Sequence, residues 1–94
     1  MTTVKQSLPE SLRRIRKARG LSQEAFSDVS SRTYLSSLER GLKSPTLNKL
    51  DELCCVMGVH PLTLLTLAYS NDRLEDTAQL LDQVRYELLS IADS

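Results

Sequence analysis

The 94-residue chain has no tryptophan, one phenylalanine (Phe26), three tyrosines, three glycines and three prolines. So few glycines and prolines leave little room for the frequent turns of an all-β fold, and the aliphatic apolar set points to an all-helical domain. There is a single histidine, His60, beside Pro61. No acid, base or nucleophile cluster accompanies it in the local sequence, so an enzyme is not expected and no catalytic residue is assigned. The two cysteines, Cys54 and Cys55, are adjacent. That is a poor arrangement for a structural disulfide and half of no metal site, so both are read as reduced and packed, with no metal and no cofactor. No stretch approaches the roughly 18 apolar residues of a membrane span, and the N-terminus lacks the apolar run of a signal peptide. A cytoplasmic chain with no membrane partner and no small-molecule ligand is expected. At this length one modest core is affordable, and a second ligand-binding module is not.

Excess charge of one sign is also missing, since the net charge is zero. The distribution is uneven. Residues 1–49 carry ten basic groups against four acidic ones, a net +6, while residues 50–94 carry two against eight, a net −6. A polyanion can bind the first half and is repelled by the second, although such runs also occur as merely solvated faces.

Along the chain, Ser7-Leu8-Pro9-Glu10 reads as a helix start, with Ser7 as cap, Pro9 in the first turn and Glu10 completing a capping box. Leu8, Leu12 and Ile15 follow at helical spacing, and Gly20 offers a left-handed stop. Ser22 begins a second helix whose apolar side is Ala25, Phe26 and Val29. Ser30-Ser31 can cap a third, which carries Leu35 and Leu38 inward and ends at Gly41. Thr46 can cap a fourth, in which Leu47, Leu50, Leu53, Cys54 and Met57 recur at three and four, and Gly58 stops it. Pro61 opens a short fifth helix through Leu67, with His60 as its cap.

The block from Leu21 to Thr46 is the informative part: Leu-Ser-Gln-Glu-Ala-Phe-Ser, then Arg-Thr-Tyr-Leu-Ser-Ser-Leu-Glu-Arg-Gly, then Ser-Pro-Thr. Two short helices joined by a tight polar turn, the second closing on Glu-Arg-Gly, make a helix-turn-helix. In this ordered set the chain resembles the Xre/Cro family over residues 8 to 68. The Arg-Thr-Tyr opening of the third helix is similar to that of the controller proteins of restriction–modification systems. The resemblance implies a five-helix, lambda-repressor-like DNA-binding domain. One departure stands out: Gln23 to Leu35 spans only twelve positions, with Ser30-Ser31 where family members carry a glycine. Either the second helix is shorter or the turn is tighter.

A recognition helix reads bases from its N-terminal turn. Arg32 can give two hydrogen bonds to guanine O6 and N7, Thr33 offers a methyl and a hydroxyl, and the short Ser36 and Ser37 bring backbone close to DNA. Tyr34 either reaches phosphate or sugar, or packs beside the second helix. The resemblance implies a phosphate contact from Gln23, reinforced by the free N–H groups of its helix end. It implies further grips on the backbone from Arg40, Lys43 and Asn48. Arg16 pairs with Glu39 by the same resemblance and can touch phosphate as well, the structural role being placed first. Ser27 occupies the small-residue position at which the two helices of the unit approach.

After the polar break at Ser70-Asn71-Asp72, Leu74, Thr77, Leu81, Val84, Leu88 and Ile91 are spaced as a heptad seam with Thr77 its weak point. Such a stripe is buried either on its own domain or against a second copy. The reading is therefore a DNA-binding domain over residues 1–70 and a dimerising amphipathic helix over 71–94, with Leu74, Leu81, Val84, Leu88 and Ile91 at the contact. Function follows as a regulator that binds a pseudo-palindromic operator on double-stranded DNA as a homodimer or higher oligomer, residues 31–40 lying in the major groove. The alternative is a protein-interaction module that keeps the fold and has lost DNA binding.

Overall fold

The computed structural model describes residues 4–93, and among them the backbone is entirely helical, with no strand. Five α-helices, α1 (Val4–Ala18), α2 (Arg32–Glu39), α3 (Leu47–Met57), α4 (Pro61–Tyr69) and α5 (Thr77–Ala92), are joined by two 3-10 turns at Gln23–Phe26 and Leu74–Asp76.

The first helix begins earlier than its capping box predicts. It starts at Val4 and runs through Pro9, which has no N–H to give to the ladder. Ser7 is not the cap: it is buried inside the helix, and its hydroxyl donates to Asn71 Oδ1 at 3.2 Å, a partner 64 residues away. At the other end Gly20, with φ +70°, lets its own N–H reach Lys17 O and that of Leu21 reach Arg16 O. This paired arrangement satisfies carbonyls that the helix end leaves free.

The second segment resolves the missing positions in favour of a shorter helix. Gln23–Phe26 is one 3-10 turn, with Ser27 N–H donating to Glu24 O and those of Val29 and Ser30 both to Phe26 O. The hydrogen-bonded turn carries the chain to Ser31 without a full second helix. Ser27, expected between two closely approaching helices, is exposed just after this turn because no α-helical face exists there for α2 to meet.

The core is built from Leu12 and Ile15 of α1, Phe26 of the first 3-10 turn, Leu35 and Leu38 of α2, Leu50, Leu53, Cys54 and Met57 of α3, and Leu64 and Leu67 of α4. Phe26, Leu35, Leu53 and Leu64 are completely buried. Three expected inward positions fall outside, Ala25 in the 3-10 turn and Leu47 and Cys55 on α3. Leu47 is 77% exposed. It is the first residue of α3, and side chains tilt toward a helix N-terminus, so Leu47 reaches past the layer that its later seam-mates fill. Cys55 is exposed on the far side of α3 while Cys54 is packed. Burial, with the nearby Asp51 carboxylate adding to it, pushes the Cys54 thiol up to about 11.

Thr46 caps α3 by accepting from Lys49 N–H at 3.1 Å, and His60 caps α4 with Nδ1, which accepts from Leu62 N–H at 3.0 Å. Beyond α4 the chain turns through Asn71 and Asp72, both left-handed (φ +54° and +61°), a conformation their short polar side chains tolerate. Arg14 holds this turn from α1, donating to Asp72 O at 2.9 Å and facing its carboxylate at 3.3 Å. The described residues extend over 44 × 26 × 23 Å, and no residue of α5, which follows this turn, is buried. No single helix among the described residues is long and apolar enough to cross a membrane.

Candidate nucleic-acid interface

Helix α2 has one buried edge, Leu35 and Leu38, and one open edge. Ser31 starts it by accepting from Tyr34 N–H at 3.0 Å, which leaves the side chains of the first turn free to project outward. Gly41 ends it with φ +74°, and Leu42 N–H bonds back to Ser37 O at 2.9 Å. Arg32, Thr33, Ser36, Ser37 and Arg40 recur along the open edge at helical spacing. Together with Gln23 they line one shallow groove of about 310 Å³. Arg32, Thr33 and Arg40 are exposed, and the two serines are half-buried. All four residues read from the sequence as base contacts, and two of those read as phosphate contacts, therefore share one concavity.

Gln23 and Arg32 are each held by a carboxylate. Gln23 Nε2 donates to Glu39 Oε1 at 3.3 Å. Arg32 lies 3.7 Å from Glu24, and both groups are largely exposed, so the pair is weak and easily exchanged for another anion. Glu24, which the sequence reading left unassigned, is the carboxylate that faces Arg32 among the described residues.

Arg16 is part of the frame beneath the groove. Its Nε and Nη2 donate to the two oxygens of Glu39 at 2.6 and 2.9 Å, and its Nη1 donates to Leu21 O at 2.8 Å. One guanidinium thus ties α1 to α2 and to the segment ahead of the 3-10 turn. The pair is almost fully buried, with side-chain exposures of 11% and 5%. The hydrogen bonds to Glu39 raise the Arg16 pKa further above its already high ordinary value, against the opposing effect of burial.

Tyr34 is half-buried against the core, with the ammonium of Lys43 5.3 Å and that of Lys49 5.9 Å from its ring centroid. Lys49 also donates to Val29 O and pairs with Glu52 at 3.2 Å. It was missed in the sequence because nothing near it signals that α3 brings it back over α2. Lys43 is exposed in the loop between α2 and α3, and Asn48 is exposed in the first turn of α3. The expected dimer residues Leu74, Leu81, Val84, Leu88 and Ile91 are all exposed, between 42% and 68%. Among the described residues no group of histidine, cysteine and carboxylate side chains is placed to hold a metal.

An open-faced helix with an arginine at its first turn, presented by a short turn-linked segment and braced from behind, is the layout of a helix-turn-helix unit. The helix-turn-helix family model matches residues 12–64, more than half of the chain. The uncharacterized HTH-type transcriptional regulator y4dJ of Sinorhizobium fredii (strain NBRC 101917 / NGR234) is 46% identical over 55 residues, which cover 56% of this chain and 71% of that protein. No solved structure matches the chain. The chain belongs to the helix-turn-helix family of the Xre/Cro type, a family of DNA-binding proteins rather than enzymes.

Proposed function

We propose that the chain is a sequence-specific transcriptional regulator, with residues 1–70 as its DNA-binding domain, residues 71–94 as its dimerisation segment and a pseudo-palindromic operator as its target. The observation that carries this reading is the groove in which Arg32, Thr33, Ser36, Ser37 and Arg40 of α2 stand together with Gln23. With α2 laid in the major groove, Arg32 and Thr33 meet base edges first, and Ser36 and Ser37 let the backbone approach closely. Gln23, Tyr34, Arg40 and Lys43 then flank this line where phosphates run. Arg16 serves mainly as the brace, with two N–H groups left over for phosphate beyond the three it has committed. The relative from Sinorhizobium fredii, designated an HTH-type transcriptional regulator, supports the same role.

A dimer accounts for two further features. One domain of this size covers too little DNA for useful selectivity. The large apolar residues of the seam, Leu74, Leu81, Val84, Leu88 and Ile91, are all exposed in the single chain. The test is selection of bound duplexes from a random pool. The expected product is a pair of inverted half-sites centred about 34–36 Å apart, one helical turn. Recovery of no enriched sequence, with retained folding, would leave the protein-interaction module as the better description.

A further inference from the structure

The dimer proposed above leaves open how two copies meet. Helix α5 touches the body mainly through α4 and then runs free of it. The seam is not uniform: Leu74 of the preceding 3-10 turn, with Thr77 and Leu81 of α5, lines a groove of about 620 Å³ whose other walls include Ile15 and Ala18 of α1 and Leu62 and Leu67 of α4. Val84, Leu88 and Ile91 continue the seam beyond the body, into water.

We infer that the two α5 helices pair antiparallel, with Leu74, Thr77 and Leu81 of one protomer facing the partner's Ile91, Leu88 and Val84, so that the far end of each helix seats in the groove beside the other's α4. The seam is self-complementary in this register. Every large position meets a large one except Thr77, and Thr77 is met by the partner's Leu88 where the groove leaves room for it. A parallel pair instead stacks Thr77 on Thr77, sets Glu87 level with Glu87, and leaves both grooves open. Charge favours the same orientation, because antiparallel pairing brings the acidic far end, Glu87 and Asp93, toward the groove wall that carries Arg14 of α1. Extent favours it too. Two helices of about 24 Å make a short contact by themselves. The walls supplied by α1 and α4 carry it toward the roughly 800 Å² per partner that stable complexes bury.

This inference rests on the dimer reading, and one experiment separates the two. In full-length Cys55→Ser protein, Thr77→Cys and Leu88→Cys variants are prepared singly, then mixed and mildly oxidised, with Leu74→Cys and Ile91→Cys as a second pair. Disulfide-linked dimers are expected from each mixture and from none of the four variants alone, since a bridge needs Cα atoms within about 7 Å. Self-linking of Thr77→Cys or Leu88→Cys alone would overturn the antiparallel pairing. So would a chain that sediments as a dimer while neither mixture cross-links. A chain that sediments as a monomer would overturn the dimer itself.

Discussion

The guanidinium of Arg16 closes on the carboxylate of Glu39 with two parallel hydrogen bonds, 2.6 and 2.9 Å, and spends a third on the carbonyl of Leu21. These contacts fix the angle between α1 and α2, and so the tilt at which the open edge of α2 is presented. They also hold the chain where it enters the 3-10 turn.

Replacing Arg16 with Ala strands the Glu39 carboxylate in a nearly dry site, where breaking one side of an ion pair costs about 3 kcal/mol or more. A fall in melting temperature is expected, readable by circular dichroism. Arg16→Lys recovers little, because an ammonium cannot make the two-pronged contact. Arg16→Ala protein that melts normally and only binds DNA less tightly would make Arg16 a phosphate contact instead of a brace.

Arg32 is held by Glu24 in the free protein, across 3.7 Å of well-solvated space. Glu24→Gln should therefore tighten DNA binding a few-fold, since an exposed pair is worth at most about 1 kcal/mol and the carboxylate also repels phosphate. Arg32→Ala should cost roughly 1–3 kcal/mol at the selected site and leave binding to unrelated duplexes nearly unchanged. Equal losses on all DNA would move Arg32 from base readout to the phosphate backbone.

Lys43 stands over the Tyr34 ring with its ammonium exposed, poised beside the recognition edge without a carboxylate partner among the described contacts. If it neutralises one phosphate, Lys43→Ala should reduce the log–log salt slope of binding by about one. An unchanged slope removes it from the interface. Lys49 shares the same ring but is tied to Val29 and Glu52, so its replacement should disturb the α2–α3 packing first.

Much of this arrangement was legible in short stretches of sequence. Ser31, Thr46 and His60 cap the helices they precede, and Leu35 and Leu38 face the core at the expected spacing. The Arg16–Glu39 brace followed from resemblance alone, since nothing local joins residues 23 positions apart. What stayed hidden depends on distant partners. Ser7 looks like a cap until Asn71 takes its hydroxyl, and Arg14 looks like one more basic side chain until Asp72 claims it. The second segment could be read as a shorter helix or a tighter turn, because propensity cannot weigh the short Gln23-to-Leu35 spacing against the closure of a hydrogen-bonded 3-10 turn.

The Cys54 thiol is pushed up to about 11, which makes stability depend on alkali. Its neutral form is favoured in the folded chain, so the unfolded chain loses the proton first as pH rises. The contribution of Cys54 to stability is then flat below about pH 9 and falls between 9 and 11, by on the order of 2 kcal/mol. Denaturant titrations at pH 8 and pH 10.5 check this, and Cys54→Ala should remove that part of the difference. At neutral pH an alkylating reagent should modify the exposed Cys55 and spare Cys54 until the chain unfolds. Equal labelling of both would show that the α3 core opens readily.

The strongest consequence of the α5 seam is on association. Leu88 stands clear of the body and Leu81 only edges the groove beside α4, each more than half exposed in the single chain, so charging them disturbs little internal packing. In the proposed dimer they are buried, and each buried leucine is worth roughly 1.5–3 kcal/mol. The full-length double variant Leu81→Asp, Leu88→Asp should therefore weaken self-association by at least about 100-fold, at 1.4 kcal/mol per decade. Helix content and melting should be almost unchanged, and sedimentation should show a monomer at micromolar concentration. Binding to an isolated half-site should survive, because the groove along α2 lies on other elements. Binding to the paired site should collapse to the same level. A double variant that stays dimeric would place the contact elsewhere on the body. One that loses helix content and melts early would mean that the stripe of α5 packs on its own domain in solution.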